Sequence, residues 1–410
     1  MRRFLPALLL SALAACAQRP AGPGSADGAR GRAAAPEDAA SADAGGQLAR
    51  VRSPGAPCLP GAADASADAL SAAAARRRAE GQAEGALACA DAALELAPRA
   101  LPPLRERAQA LADLGRDADA RAALSRALAA DPDDVATLLV AAEIHVLRFG
   151  DRDSLEAGRD LALRGAAHAL AGPAAGRARA PRLFLVAAMA ENDLGRNREA
   201  LDHLDRVLAA DPRDPDALYE RGVALYELCR FAPARRAFEA VLRRVPDDAW
   251  SIHHLGLIAE RAGDERRSRD LLSRAARLAP REIRAPVELP PAAFEAELRR
   301  AVAELPAEER AALDGVPVGV EEVPSLPDLV AVDPPLSPSI LGLFRGPSLG
   351  EPCDPAEPGP CRSIVLYRRN LQRFAHDRSQ LAEQVRVTLL HELGHLHGES
   401  DEELRARGLE

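Results

Sequence analysis

Apolar and polar positions follow a helical period through the middle of the chain, and prolines follow these stretches at a constant spacing. The intervals from Pro98 to Pro132, from Pro212 to Pro246 and from Pro246 to Pro280 are each 34 residues long. An apolar stretch with helical spacing precedes each proline, as in Leu-Ala-Ala-Asp before Pro212. A fixed period of this length predicts helical hairpins that stack on one another and bury a continuous core.

Small residues also recur within each period. Counting back from Pro246, Gly222 takes a small position in the first helix, Ala234 takes one in the second, and Phe238 follows as a large apolar residue. Small residues are expected where two helices cross closely, because a larger side chain would hold them apart. The period and this pattern resemble the tetratricopeptide repeat family. The resemblance implies an α-solenoid over residues 62–282.

The interval from Pro132 to Pro212 is 80 residues, which is two repeats and a surplus of 12. We expect the surplus between Phe149 and Pro181, where glycines and arginines break the pattern. Stacked repeats form a curved groove, and such grooves commonly bind a peptide or a partner protein. The alternative is that the array serves only as a spacer or an oligomerisation surface.

The pattern changes after Pro280 and predicts a separate small α+β domain over residues 283–410. Two helices come first, then three short strands and one long helix. The predicted elements are a helix from Ala292 to Leu305, a short helix from Pro306 to Gly315, a strand with alternating valines at 316–320, strands at Ile340–Phe344 and Ser363–Tyr367, and a helix from about Ser379 to His397.

The beginning of the chain has the pattern of a secretion signal. Two arginines precede a mostly apolar stretch from Phe4 to Ala15, and small residues stand just before Cys16. This ending resembles the lipobox of bacterial lipoproteins, which implies a signal peptide over residues 1–15 and a lipid on Cys16. A plain secretion signal with an incidental cysteine is the alternative. The expected location is outside the cytoplasm, anchored by lipid to the periplasmic side of the outer membrane.

Residues 16–61 are mainly Ala, Gly, Pro, Ser, Asp and Arg without periodicity, and we expect a disordered tether there. The net charge of −9 argues against nucleic acid as a main partner, because binding phosphates needs a basic face. Uninterrupted apolar runs fall short of the roughly 18 residues of a membrane-spanning helix. Contact with a membrane is therefore expected through the lipid anchor only.

The long C-terminal helix carries the clearest chemical signal, His391-Glu-Leu-Gly-His395. Residues four apart are separated by about 400° and 6 Å along a helix, so His391 and His395 lie on one face. Two imidazoles in that arrangement can take adjacent positions around Zn²⁺. Glu392 lies about 100° further round the helix, where it could accept a proton from water and act as the catalytic base.

The residues that follow supply candidates for a third metal ligand. Gly398 can adopt a positive φ and end the helix, which would turn the chain back towards the metal. Asp401 is the preferred third ligand, with Glu399 and Glu402 as alternatives and water in the fourth position. On a continuing helix His397 would point away from the site.

The spacing His391-x-x-x-His395-x-x-Gly398-x-x-Asp401 is similar to that of the metzincins, but the methionine-containing turn of that class is missing. From about Leu289 onwards, the chain instead resembles the small bacterial zincin-like metallopeptidases. The resemblance extends over the early helix with residues 298–306 and over the segments 339–346, 364–368, 384–395 and 398–404. It implies a minimal zincin fold with a zinc cofactor and a predicted peptidase activity. It also implies that the strand from Ile364 to Arg368 lines the cleft and pairs with an extended substrate.

Several other residues have a chemical and a plain structural interpretation. Tyr367 or Arg368 could stabilise an oxyanion, or they could be a packed tyrosine and a solvated arginine. Cys353 and Cys361 bracket a turn-rich loop, and outside the cytoplasm a disulfide between them is expected. Cys58 has no evident partner. Packed residues without a chemical role are predicted at Cys89, Cys229, His253 and His254.

Two functions are consistent with these patterns. The first is a lipid-anchored zinc metallopeptidase whose repeats recruit a protein substrate or partner. The second is a non-catalytic scaffold lipoprotein in which the zincin domain binds zinc without turnover or is vestigial. Glu392 favours the enzyme, because a structural zinc site is usually closed by four protein ligands and does not need a neighbouring carboxylate.

Overall fold

The computed structural model describes Cys58, residues 66–353 and residues 360–409. The predicted signal peptide, Cys16 and the predicted tether apart from Cys58 lie outside the described residues. Among the described residues, no helix is both long and apolar enough to cross a membrane. The described chain divides into two compact units, one up to Val140 and one from Ala141 onwards.

The unit up to Val140 consists of antiparallel helical hairpins. Alanines with no exposed surface, such as Ala90 and Ala108, let the helices approach closely. Gly81 and Gly115 adopt φ of 74° and 69° in the turns within the hairpins, a backbone conformation that glycine adopts without strain. The helices are α1 (Ala67–Ala79), α2 (Ala83–Leu96), α3 (Leu101–Asp113), α4 (Asp117–Ala130) and the first part of α5 (Val135–Ile144).

The repeats continue in the second unit. Residues His145–Phe149 form a π-helical turn after α5, and the 20-residue helix α6 and the four-residue helix α7 follow it. Helices α6 and α7 lie between Phe149 and Pro181, where the surplus residues were expected, and the π-helical turn comes directly before this region. The helices are α6 (Arg152–Ala171), α7 (Ala174–Arg177), α8 (Ala180–Asp193), α9 (Asn197–Ala210), α10 (Pro215–Glu227), α11 (Phe231–Leu242), α12 (Ala249–Arg261) and α13 (Glu265–Leu278).

The small positions of the repeats are points of close helix contact, as predicted. A Cβ atom at Gly222 would lie 2.5 Å from the ring of Phe238, which is fully buried. A Cβ atom at Gly256 would lie 2.8 Å from the side chain of Leu272 on the paired helix. The missing side chain therefore sets the distance between the two helices of each of these hairpins.

The turn within each of the last three hairpins contains a residue with positive φ. Gly195 and Gly263 both have φ of 76°, and Cys229, midway between them in the sequence, has φ of 57°. An L-residue is strained in this conformation, so glycine is the expected residue. Cys229 is a free, buried cysteine, and its thiol lies 3.7 Å from the carbonyl oxygen of Leu336.

The C-terminal domain has the predicted order of helices and strands, with three short helices in addition. Proline at the start of α14 fixes a helical φ without losing an intrahelical hydrogen bond. The elements are α14 (Pro291–Glu304), α15 (Ala307–Ala312), β1 (Val318–Glu321), α16 (Leu326–Leu329), β2 (Gly342–Arg345), β3 (Ser363–Tyr367), α17 (Arg368–Phe374), α18 (Arg378–His397) and α19 (Asp401–Ala406).

The three strands form a mixed sheet in the order β1-β3-β2. Strand β1 runs parallel to β3 with Val318 opposite Ile364, and β2 runs antiparallel to β3 with Gly342 opposite Leu366. The prediction that strand 364–368 pairs with a substrate is therefore wrong, because β3 is hydrogen-bonded on both sides. Strand β2 is an edge strand, and it packs against α18.

The core of this domain lies between the sheet and the two helices α14 and α18. Ile364 and Leu366 of β3 are fully buried in a cluster with Phe294 of α14 and with Val385 and Leu389 of α18. Apolar residues at i and i+4 on α18 fill this core and leave a different face of the helix for the two histidines. Packing thus fixes the rotation of α18 about its axis.

Candidate metal centre

Helix α18 brings His391 and His395 together as the sequence predicts. The Nε2 atoms of the two imidazoles are 3.1 Å apart, and both side chains are partly buried. A positive φ of 88° at Gly398 ends the helix. The two nitrogens converge on one point because the residues are separated by one turn of a helix whose position is fixed by its core.

Asp401 joins the histidines from the first turn of α19. Its Oδ1 atom lies 3.6 Å from His391 Nε2 and 3.2 Å from His395 Nε2. Ser400 and Glu403 form a capping box that fixes the start of α19, so Asp401 stands at a defined helical position. Helix α19 packs closely on α18, because a Cβ atom at Gly394 would overlap the side chain of Leu404.

The second nitrogen of each imidazole is bound to a backbone carbonyl. His391 Nδ1 lies 2.5 Å from the oxygen of Leu409, and His395 Nδ1 lies 2.9 Å from the oxygen of Glu399. A carbonyl only accepts, so each Nδ1 is the donor, and in a neutral imidazole this leaves the Nε2 lone pair free for a cation. This is the arrangement in which outer hydrogen bonds orient histidines that bind a metal.

The three side chains fit a divalent cation such as zinc. One ligand atom from each of His391, His395 and Asp401 lies within 4.8 Å of the others. Two imidazole nitrogens and one carboxylate oxygen form the type of donor set found in catalytic zinc sites, which keep a fourth position for water or substrate. The carboxylate of Asp401 is exposed to solvent, so the fourth position around the cation is accessible to water or substrate.

Glu392 lies beside this cluster and is only 5% exposed. Its carboxylate accepts a hydrogen bond of 2.6 Å from the backbone N–H of Phe344 in β2. Burial raises the pKa of Glu392 to about 8 and the charge of Asp401 adds to the rise, whereas the Phe344 hydrogen bond opposes it. A bound cation would also oppose the rise, because positive charge favours the carboxylate.

A glycine in the edge strand makes this approach of Glu392 feasible. A Cβ atom at Gly342 would lie 2.8 Å from Glu392 Oε1 and 2.6 Å from the methyl group of Thr388. Gly342 was not predicted as part of the site, because its neighbours on α18 are about 50 residues away in the sequence. A glycine inside a strand is itself a signal of close approach by another group.

Neither of the alternative third ligands belongs to the cluster. The side chain of Glu399 pairs with Arg407, and Glu402 is exposed on α19 without belonging to the cluster. His397 lies 3.1 Å from Glu309, a contact away from the metal cluster, as its place on the helix predicts. Of the predicted site residues, the structure brings together His391, Glu392, His395 and Asp401.

The two candidate oxyanion residues have structural roles. Tyr367 is fully buried in the central strand. The guanidinium of Arg368 binds both carboxylate oxygens of Glu322 and donates to the carbonyl oxygen of Leu289. Tyr367 is therefore a packed tyrosine, as the structural interpretation predicts. The prediction of a solvated arginine is wrong, because the side chain of Arg368 is only 14% exposed and is held by these partners.

Two disulfides are present among the described residues. Cys353 and Cys361 are bonded to each other in the loop between β2 and β3. Cys58 is bonded to the fully buried Cys89 of α2, a pairing that the sequence analysis missed. The period of the repeats indicates that Cys89 lies in a helix, but it contains no information about which residue outside the array packs there.

Comparisons with known proteins agree with this architecture. Residues 313–409 match the family model of the zincin-like metallopeptidases, and residues 101–144 and 185–249 match two models of the tetratricopeptide repeat. The chain therefore contains tetratricopeptide repeats followed by a C-terminal zincin-like metallopeptidase domain. The zincin match begins after α15, so it is shorter than the resemblance noted from residue 289. No curated protein matches the chain.

Solved structures of helical repeat proteins are similar to part of the chain. Pseudomonas aeruginosa pilF is 17% identical, with 52% of this chain and 92% of that chain covered at a TM-score of 0.45. The type IV pilus biogenesis factor PilW is 18% identical, with 52% and 94% covered at 0.47. YrrB, a repeat protein with an unusual peptide-binding site, is 18% identical, with 47% and 93% covered at 0.36. At these values the likeness concerns the helical fold alone.

Proposed function

We propose that the protein is a zinc-dependent peptidase, anchored to a bacterial membrane by a lipid on Cys16, whose repeats recruit a protein substrate or partner. The observation that carries the proposal is the convergence of His391 Nε2, His395 Nε2 and Asp401 Oδ1 beside a buried Glu392. The carbonyl oxygens behind both Nδ1 atoms orient the two rings with Nε2 towards a cation.

Zinc, when bound, would polarise the carbonyl of a peptide bond and make water more acidic. Glu392 would accept a proton from the attacking water at its carboxylate and return it to the leaving amine. The N–H of Phe344 would hold the carboxylate in place during both steps. The low solvent exposure of Glu392 strengthens its interaction with nearby charges, because the effective dielectric constant there is low.

The edge strand β2 is the expected binding surface for the backbone of the substrate. It pairs with β3 on one side only, and it contacts Glu392 directly through Phe344. An extended peptide can add to such an edge through main-chain hydrogen bonds. This assignment replaces the predicted role of strand 364–368.

Location outside the cytoplasm is consistent with the two disulfides, because such bonds persist in oxidising compartments. The tetratricopeptide repeats support binding of a protein or peptide. The lipid on Cys16 rests on the sequence of the signal segment.

The test is the zinc content of the purified full chain together with its ability to cleave fluorescein-labelled casein. We expect about one zinc per chain, no zinc in His391→Ala, and weaker zinc binding in Asp401→Ala. Glu392→Gln should keep its zinc and lose roughly 100-fold or more in cleavage rate. His397→Ala is the matched control, because this histidine is bound to Glu309 and should leave zinc content unchanged.

Two outcomes would contradict the proposal. A folded wild-type chain that takes up no added zinc would remove the basis for any zinc-dependent chemistry. A wild type that binds zinc but cleaves no faster than Glu392→Gln or a protein-free sample would support the non-catalytic scaffold instead.

A further inference from the structure

The side-chain amide of Asn370 in α17 connects two parts of the C-terminal domain. Its Nδ2 donates to the carbonyl oxygen of Pro338 at 3.0 Å and to that of Ile340 at 2.7 Å. Its Oδ1 accepts a hydrogen bond of 2.7 Å from Arg373. Asn370 is 6% exposed, and both amide protons are used. The orientation of the amide is therefore fixed, because the reversed amide would place its oxygen against two carbonyl oxygens.

Pro338 and Ile340 lie in the segment that leads into the edge strand, residues 333–341, which we name the connecting segment. Just after Ile340, the carbonyl oxygen of Leu341 accepts a hydrogen bond of 2.8 Å from the backbone N–H of Tyr367. Three residues further on, the N–H of Phe344 donates to Glu392. Asn370 thus fixes the backbone directly before the strand that contacts the candidate catalytic carboxylate.

The residue that orients Asn370 is held in turn by the repeats. Arg373 Nη1 lies 3.0 Å and 2.8 Å from the two carboxylate oxygens of Glu260 in α12. The side chain of Glu260 is 6% exposed, and it also binds Arg369 at 3.0 Å. Loss of these arginines would leave the carboxylate of Glu260 buried and unpaired, which is strongly destabilising. The folded protein is therefore expected to keep the contact between Glu260 and Arg373.

The repeats hold the connecting segment at other points. Ser337 donates a hydrogen bond to the buried carboxylate of Glu227 in α10, and Asp333 pairs with Arg198 in α9. The carbonyl oxygen of Leu336 contacts the thiol of Cys229. Three consecutive repeats therefore contact either this segment or the arginine that orients Asn370.

We propose that Asn370 is a positioning residue for the peptidase site, and that Glu260 of the repeats sets its orientation through Arg373. Asn370 fixes the connecting segment, the segment fixes β2, and β2 holds Glu392 through Phe344. The last tetratricopeptide repeats therefore support the peptidase site structurally, in addition to any partner protein that they bind. The inference rests on the proposed function for the role of Glu392, but the placement of β2 is measurable without it.

The test is amide hydrogen exchange of the full chain, read by mass spectrometry for residues 338–346. Asn370→Asp has the same shape and keeps the acceptor for Arg373, but it loses both donors to the connecting segment. We expect exchange in this segment to accelerate about tenfold, because buried carbonyls lose their hydrogen bonds. Zinc content should be unchanged, since none of the three metal-binding side chains is altered.

A second pair of variants tests the contribution of the repeats. Glu260→Gln should accelerate exchange in residues 338–346, because it weakens the hold on Arg373. Glu265→Gln is the matched control, since Glu265 binds Arg369 at 2.8 Å but has no contact with Arg373. Its exchange in residues 338–346 should equal that of the wild type.

Unchanged exchange in residues 338–346 of Asn370→Asp would overturn the inference, and so would uniform acceleration over the whole chain, which would indicate a general structural role. Equal effects of Glu260→Gln and Glu265→Gln would overturn the part played by the repeats. If the wild type cleaves casein, Asn370→Asp should lower the rate at unchanged zinc content. A wild type without zinc or cleavage would defeat the proposed function, while the exchange experiment would still decide whether Asn370 positions β2.

Discussion

Two buried carboxylates, one in the repeats and one in the zincin domain, bind neighbouring parts of the chain: the connecting segment and the edge strand β2 that follows it. Glu227 ends helix α10 and accepts a hydrogen bond from Ser337, and Glu392 lies in α18 and accepts one from Phe344. Both are about equally buried, and burial raises the pKa of Glu227 to about 7 and that of Glu392 to about 8.

The difference between them lies in their neighbours. Glu392 stands next to two imidazoles and a carboxylate that converge on one point, whereas Glu227 belongs to no metal-binding cluster among the described residues. Burial and a raised pKa are therefore insufficient to identify a catalytic group. Glu227 holds the connecting segment through Ser337. The free energy that its burial costs and the free energy that this contact contributes both affect the stability of the fold alone.

The largest expected effect is on the pH dependence of stability at Glu227. Its pKa is about 7 in the folded state against an ordinary value of 4.5, so the folded state binds the proton more tightly. The stabilisation is complete below pH 4.5 and is lost as pH rises to 7. Glu227→Gln imitates the protonated form, so it should match the wild type near pH 4 and be more stable by about 3 kcal/mol near pH 8.

Urea unfolding at several pH values, with a chelator present, measures this difference. Only the difference between the two curves is informative, because burial lowers the pKa of His253 to about 3 and that of His254 to about 4, which affects both proteins equally. Glu239→Gln on α11 is the control, and its curve should follow the wild type. Parallel curves for Glu227→Gln and the wild type would show that Glu227 ionises normally in the folded state.

The next largest effect is expected on the rate of casein cleavage when Gly342 is replaced. An alanine there would place its Cβ 2.8 Å from Glu392 Oε1, so the carboxylate or the edge strand must shift. A displacement of about 1 Å can cost roughly a hundredfold in rate. We expect Gly342→Ala to lose about that factor in casein cleavage while keeping one zinc per chain. Wild-type cleavage in this variant would show that the contact between β2 and Glu392 is unnecessary for turnover.

A smaller effect is expected on zinc affinity at Gly394. The Cβ of Gly394→Ala would overlap the side chain of Leu404, which would push α19 and Asp401 away from the histidines. We expect zinc affinity to fall about tenfold, as for the loss of a group that orients a ligand. Competition with a chromophoric chelator measures it, and Gly319→Ala in β1, where a Cβ would meet no atom within 4 Å, is a control in the same domain.

The smallest effect belongs to a glycine of the repeats. Gly195 has φ of 76°, and a Cβ atom there would meet nothing within 4 Å. Gly195→Ala should therefore cost only the backbone strain, about 1 kcal/mol of unfolding free energy. Gly222→Ala should cost more, about 1–3 kcal/mol, because its Cβ meets the buried ring of Phe238. Equal losses in urea unfolding would contradict the distinction between turn and packing glycines.

Local patterns explain what the sequence analysis predicted correctly. The period of the prolines marks the hairpins, and the four-residue spacing of His391 and His395 places both imidazoles on one face of α18. Gly398 and Asp401 follow within six residues of His395, so short-range geometry also places the aspartate beside them.

Contacts between distant positions were not predicted. The order of the strands, the hydrogen bond between Phe344 and Glu392, and the carbonyl of Leu409 behind His391 each join parts of the chain that no local pattern relates. The resemblance assigned the segment 364–368 to the cleft. Its apolar residues instead form a central strand that is buried along most of its length.

The disulfide between Cys58 and Cys89 makes the stability of the first hairpin depend on the redox state of its surroundings. The two cysteines are 31 residues apart, and closing a loop of this length removes unfolded-state entropy equivalent to about 4 kcal/mol. Under reducing conditions this contribution is absent, so the first hairpin is expected to unfold more readily than under oxidising conditions. The redox state of the surroundings would then set the stability of this end of the array.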